Sequence, residues 1–213
     1  MVNRYLRIRP DKSLRLAMKK ALADGKLTFD DVTNILDAAL DYDRVTDREY
    51  RDLKRFVRKE SALGYLAVKI EFWLSHHYPL TPLPVYPHGD VYQLVGRKPI
   101  GTHQCAAIVQ YSQRAGKART WREGDKVRGN LSLAKGTPIA TFVDGFYPNR
   151  NHDNHVAYYH SQTPKEVYVI DQWTGEKKIH IRPLPFLGTH PSGLYKRPSN
   201  NGDAMSVIAR KKG

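Results

Sequence analysis

Apolar positions recur at helical spacing through the first third of the chain and at strand spacing through much of the remainder. From Asp11 to Ala23, the apolar positions Leu14, Leu16, Ala17, Met18, Ala21 and Leu22 predict a helix that stops at Asp24-Gly25. Thr28 is placed to cap a second helix with Val32, Ile35, Leu36, Ala39 and Leu40 on one face. Thr46 and Glu49 have the capping-box spacing ahead of Tyr50, Leu53, Phe56 and Val57. Thr28, Asp31, Val32 and Ile35 correspond to Thr46, Glu49, Tyr50 and Leu53 at an offset of 18, which predicts two similar short helices packed as a pair. Ala62 to His77 predicts a further helix with Tyr65, Leu66, Ile70, Phe72, Trp73 and Leu74 in the core. His76 and His77 fall at its C-terminal end, where the dipole favours imidazole as a cap.

Pro79, Pro82, Pro84 and Pro87 then exclude regular structure and predict a boundary between a helical N-terminal domain, 1–78, and a second domain, 79–213. Beyond it the pattern changes to one helix, Cys105 to Ala115, stopped by Gly116. The segments 137–143, 155–160, 166–172 and 178–183 are β-prone and separated by Gly, Asn, Asp and Pro turns. Residues 187–213, rich in Gly, Pro, Asn, Lys and Arg, read as an irregular C-terminal tail. A helix followed by antiparallel strands makes the second domain α+β.

The 213 residues suffice for one large domain or two small ones, and the single cysteine excludes an intrachain disulfide. The start, Met1 to Pro10, alternates basic and apolar residues and lacks a signal-peptide core, and the longest apolar segment, 62–74, is interrupted by Lys69 and Glu71. The expectation is a chain made in the cytoplasm without a leader and without a transmembrane segment. The net charge is +14, with 16 Lys/Arg against 12 Asp/Glu in residues 1–80 and 19 against 9 in residues 81–213. Such an excess suits nucleic acid, an acidic membrane face or an anionic envelope polymer, or simply a solvated surface, and does not choose among them.

Candidate chemistry centres on Cys105. It opens a predicted helix behind a turn marked by Gly96, Pro99 and Gly101, where a helix N-terminus favours a thiolate. About fifty residues later Asn149-Arg150-Asn151-His152-Asp153-Asn154-His155 runs into the apolar stretch Val156-Ala157-Tyr158-Tyr159. Glu166 to Trp173 is a β-prone run that closes on Asp171. A thiol, a histidine at the mouth of one strand and a carboxylate at the end of the next are the groups that nucleophilic acyl transfer requires. Gln172 and His160 compete with Asp171 for the third place. A zinc site from His152, Asp153, His155 and His103 is disfavoured, since an extended backbone puts His152 and His155 on opposite faces. Asp41-Tyr42-Asp43 starts a calcium-loop pattern that fails at Thr46 and Asp52, and no metal or other cofactor is expected. A helix-turn-helix reading of Arg48 to Lys59 is weakened by Asp47, Glu49 and Asp52 among its basic residues.

Tyr92, Gly96, Pro99, Gly101, Cys105, His155, Val156, Ala157 and Asp171 together resemble the papain-like cell-wall hydrolases of the NlpC and CHAP type. These families include peptidoglycan amidase effectors delivered by type VI secretion, and the resemblance covers roughly residues 88 to 186. It implies Cys105 as nucleophile, His155 as general base and acid, and Asp171 as the group that orients the ring. It further implies that the Tyr92 hydroxyl and the Cys105 N–H serve the oxyanion, with Gln104 beside the substrate. From the sequence itself, His152 falls in the loop that borders the cleft, and Trp173 follows Asp171 closely enough to shield the dyad from water. The families carry Asp-Cys-Ser where this chain has Gln104-Cys105-Ala106, which leaves open the bond cleaved. The implied activity is hydrolysis of amide bonds in peptidoglycan stem peptides, in the periplasm of a target cell. The implied partners are an immunity protein blocking the cleft and a component of the secretion apparatus. The rivals are a papain-like protease or deamidase acting on host proteins, and a basic nucleic-acid-binding module with a buried cysteine; nucleic acid is not the expected partner.

Overall fold

The computed structural model describes residues 12–40, 44–148 and 150–212. Asp11, the alternation in residues 1–10, Asp41-Tyr42-Asp43 and Asn149 lie outside them. The chain divides into two compact units, one of residues up to Pro79 and one of Leu80–Lys211.

The first unit holds α1 (Lys12–Ala21), α2 (Phe29–Asp37), α3 (Asp47–Lys59) and α4 (Leu66–His77). Both capping boxes form. Thr28 Oγ1 accepts from the Asp31 N–H while the Asp31 carboxylate accepts from the Thr28 N–H, and Thr46 and Glu49 repeat the exchange. α2 packs on α1 and α4, and α3 on α4, so the two capped helices share a neighbour and do not form the expected pair. α4 buries only Leu66, Ile70 and Leu74, a stripe one residue wide. Tyr65 and Phe72, expected in the core, lie off that stripe and are 77% and 68% exposed. Nδ1 of His76 and Nδ1 of His77 meet the carbonyls of Phe72 and Trp73, closing the last turn. Among the described residues no helix is long and apolar enough to cross a membrane.

The second unit is α+β: among its described residues one α-helix, α5 (Cys105–Ser112), and an antiparallel sheet. The strands are β1 (Leu80–Pro82), β2 (Arg122–Lys126), β3 (Pro138–Thr141), β4 (Val156–Gln162), β5 (Glu166–Asp171), β6 (His180–Pro185) and β7 (Met205–Lys211). Their order is β1-β7-β3-β4-β5-β6, with β2 also paired to β7. Alternation along β4 sends Val156 and Tyr158 into a core shared with Ile108 and Val109 of α5, and Ala157 and Tyr159 into a second core with Val167, Val169 and Leu184. The sheet is thus covered on both faces. That explains the near-continuous apolar runs of its inner strands.

Two expectations are corrected here. The tail does not fray: Met205–Lys211 pairs with β1, β2 and β3 and buries Met205, Val207, Ile208 and Ala209. Ahead of it, Asn201 is buried and accepts from the N–H groups of Leu187 and Asp203 while donating to the carbonyls of Gly188 and Lys196, which fixes the loop. Nor do the prolines exclude a strand, since Leu80–Pro82 is a short outer one, the kind of position that tolerates a missing N–H.

Candidate active site

Cys105 is positioned by the turn in front of it. Gly101 has φ 61°, and a Cβ there would lie 2.5 Å from ring carbons of Tyr111, so glycine is required on both conformational and steric grounds. His103 also takes a positive φ, 64°. Gln172 clamps this turn. Its Oε1 accepts from the Ile100 N–H at 2.8 Å, and its Nε2 donates to the carbonyls of Ile100 and Gln104 at 2.9 and 3.0 Å. Helix α5 then starts at Cys105, with Gln104 at the N-cap making no side-chain capping bond. The first N–H groups of the helix are left to act on the sulfur and its surroundings.

His155 immediately precedes β4. Its N–H donates to Thr141 Oγ1 at 2.9 Å and its carbonyl accepts from the Thr141 N–H at 3.0 Å, which extends the β3–β4 pairing by one residue. Tyr158 pairs with Ile170, so antiparallel register carries His155 towards the end of β5, where Asp171 stands. Its Nε2 lies 2.6 Å from Asp171 Oδ2, with both side chains buried. A carboxylate only accepts, so Nε2 carries the proton, and Nδ1 is the ring nitrogen left free to serve Cys105. His155 and Asp171 are thus hydrogen-bonded, and Cys105 stands near enough to His155 for each to shift the other's proton affinity.

Burial pulls the Cys105 thiol up, but the hydrogen bond and charge of His155, helped by the Tyr147 hydroxyl and the Val156 N–H, outweigh it and bring the thiol below its ordinary value. For His155 burial works downward, yet the Asp171 carboxylate and Cys105 together push the ring up to about 9. These shifts reinforce one another. Together they move the balance from thiol and imidazole toward thiolate and imidazolium.

The structure supplies further groups. Tyr147 places its hydroxyl 3.9 Å from Cys105 Sγ and accepts at the same oxygen from Asn154 Nδ2 at 2.9 Å, which turns its proton toward the sulfur. Arg182 donates from Nε to Asp171 Oδ2 at 2.8 Å. Asn154 belongs to the polar loop read in the sequence, whereas nothing local marks Tyr147 or Arg182.

The remaining expected residues lie as follows. Tyr92 is half exposed with its ring 6.3 Å from that of His160; the phenol beside the sulfur is Tyr147. Gln104 is exposed next to Cys105. His152 is exposed and contacts Asp153 at 2.9 Å. Trp173 is half-buried under the Arg182 guanidinium, 5.0 Å from its ring centre. Of the competitors for the third place, Gln172 serves the turn and His160 Nδ1 contacts Ser161 Oγ at 2.9 Å. Among the described residues no three His, Cys, Asp or Glu side chains cluster as metal ligands would.

A family model described as Domesticated amidase effector 2 matches residues 86–208, more than half of the chain. The chain belongs to that family. The matched span contains Cys105, Tyr147, Asn154, His155, Asp171, Gln172 and Arg182, and leaves α1 to α4 outside. A "Type VI secretion amidase effector 2 protein" of Salmonella typhi is 36% identical over an alignment of 130 residues that covers 58% of this chain and 98% of the relative. A solved structure titled "Type 6 secretion amidase effector 2 (Tae2)" is 34% identical, with a TM-score of 0.56 over 61% of this chain and 96% of its own. The mixed fold with its antiparallel sheet is therefore similar to that of a solved relative.

Proposed function

We propose that this member of the amidase effector 2 family is a cysteine amidase that hydrolyses amide bonds in the stem peptides of peptidoglycan, acting as an antibacterial type VI secretion effector in the periplasm of a target cell. Its relatives' names support the amidase and secretion parts of this reading. The observation that carries the mechanism is the buried hydrogen bond of His155 with Asp171, beside a cysteine at the head of α5 whose thiol His155 pulls below its ordinary value. A cysteine on a helix start, packed against a sheet that carries histidine and acid, is the papain-like arrangement.

The Cys105 thiolate attacks the amide carbonyl carbon, and the oxyanion develops near the uncapped N-terminus of α5, where the Cys105 N–H is the expected donor. The His155 imidazolium gives its proton to the leaving nitrogen as the C–N bond breaks. The neutral ring then takes a proton from the water that attacks the thioester, releasing the acid and restoring thiolate and imidazolium. Asp171 fixes the tautomer and balances the ring's charge throughout. A core-filling cysteine does not need these partners.

Residues 79–213 form the catalytic domain in this reading, and the helices of residues 1–78 serve delivery or substrate positioning. The net charge of +14 suits an anionic wall. Partners are an immunity protein that blocks the cleft and a component of the secretion apparatus. The test is digestion of purified sacculi with mass spectrometry of the soluble products, which names the bond. Cys105→Ala should release none, by several orders of magnitude in rate; near-normal release by that variant would overturn the reading.

A further inference from the structure

Asp171 is held through one oxygen. Its Oδ2 accepts from His155 Nε2 at 2.6 Å and from Arg182 Nε at 2.8 Å, while the buried Oδ1 has no hydrogen-bond partner. Two donors on one oxygen leave the carboxylate's orientation dependent on both. Arg182 is itself anchored. It lies opposite Val169 on β6, its Nη1 donates to Asn200 Oδ1 at 2.8 Å, and its guanidinium stacks over Trp173. The loop bearing Asn200 also donates from Ser199 Oγ to the carbonyl of Asn154, so one segment braces both the Arg182 side and the Tyr147 side of the site.

The third nitrogen of the fork, Nη2, lies 3.3 Å from His155 Nε2. With Nε2 protonated toward Asp171 these are two donors, so the contact is a cation set beside the ring. A guanidinium stays charged at every pH of interest. Among the described residues, the charged or titratable groups that act on the ring are Cys105 from α5, Asp171 from β5 and Arg182 from β6.

We propose that Arg182 is a positioning residue of the amidase site: its guanidinium fixes Asp171 through the oxygen that holds His155, and as a fixed cation beside that ring it limits how tightly the ring keeps its proton. The second action matters because the ring must release that proton to the leaving nitrogen. Asp171 alone would hold it more firmly, and the cation offsets part of that hold. This proposal rests on the cysteine amidase reading above.

The test uses the full chain, with sacculus digestion and iodoacetamide alkylation of Cys105 each measured against pH for wild type, Arg182→Gln and Arg182→Lys, and Cys105→Ala alongside. Arg182→Gln should lower kcat on the order of 10- to 100-fold, by analogy with loss of the outer partner of a metal-bound histidine, with KM little changed. Removing a cation from beside the ring stabilises imidazolium, so the high-pH limb of turnover should move upward. Arg182→Lys keeps the charge and loses the fork, so its kcat should fall while its limb stays at the wild-type pH. An Arg182→Gln limb that is unmoved or displaced downward overturns the proposal, as does a wild-type kcat. If Arg182→Gln fails to fold by circular dichroism, Arg182→Lys decides, and a wild-type kcat there overturns it. Dead Cys105→Ala beside unaffected Arg182 variants refutes the role of Arg182 alone, whereas active Cys105→Ala refutes the underlying reading and this proposal with it.

Discussion

Gln172 grips the backbone of Ile100 on both sides of its Cα, accepting from the N–H at 2.8 Å and donating to the carbonyl at 2.9 Å. The residue after Asp171 thereby locks the turn that leads to Cys105, so one strand end sets both the acid and the approach to the nucleophile.

Gln172→Ala should therefore weaken the fold and displace the turn together. Loss of a fully satisfied buried amide costs about 1–3 kcal/mol, readable as a lower midpoint in urea. Turnover should drop by more than substrate affinity, because the shift falls on Cys105 and not on a binding surface. Unchanged turnover in a destabilised variant would separate the clamp from catalysis.

His155→Ala should suppress turnover and also the fast alkylation of Cys105 near neutral pH. Without an imidazolium the thiol returns toward the value of a free cysteine, and thiolate becomes scarce. Asp171→Asn should be milder, since the amide still accepts from the ring and loses only the charge. Alkylation against pH checks both, and the larger upward displacement should belong to His155→Ala.

Tyr147→Phe should slow turnover on the order of 10-fold, the lower part of what a hydrogen bond to a charged group is worth, because the contact with sulfur is long at 3.9 Å. The alkylation profile of Cys105 should move up in pH, since a donor to the thiolate is gone. Tyr92→Phe should leave both unchanged, its ring lying by His160. The pair of variants decides which phenol serves the thiol.

Turnover should fall as pH rises through about 9, where His155 gives up its proton and the leaving nitrogen loses its acid. Alkylation should not fall there, because the thiolate persists as pH rises. At the acid end both should decline together as the thiolate of Cys105, held below its ordinary value, is protonated. Parallel high-pH limbs for the two reactions would remove His155 as the acid.

Much of this protein is written in short-range patterns. Spacing of apolar residues gives α1 to α5 and the inner strands, and the Thr28 and Thr46 boxes state where two helices begin. A thiol at a helix start, a histidine before one strand and an acid ending the next are likewise local features, since each depends on a few consecutive residues. What meets what across the sheet is not local. The contact of His155 with Asp171 follows from β4–β5 register, the arrival of Arg182 at the same oxygen follows from β5–β6 register, and Tyr147 reaches Cys105 from a loop 42 residues away in sequence. The same holds for β7, whose short apolar run sits among Gly, Asn, Lys and Arg and becomes a strand only because β1, β2 and β3 supply partners for its backbone. On α4, helical spacing marks Tyr65 and Phe72 as apolar, but only packing decides that the buried stripe is Leu66, Ile70 and Leu74. Periodicity fixes the elements because backbone hydrogen bonding within them is local, whereas register and packing join residues that the chain holds far apart.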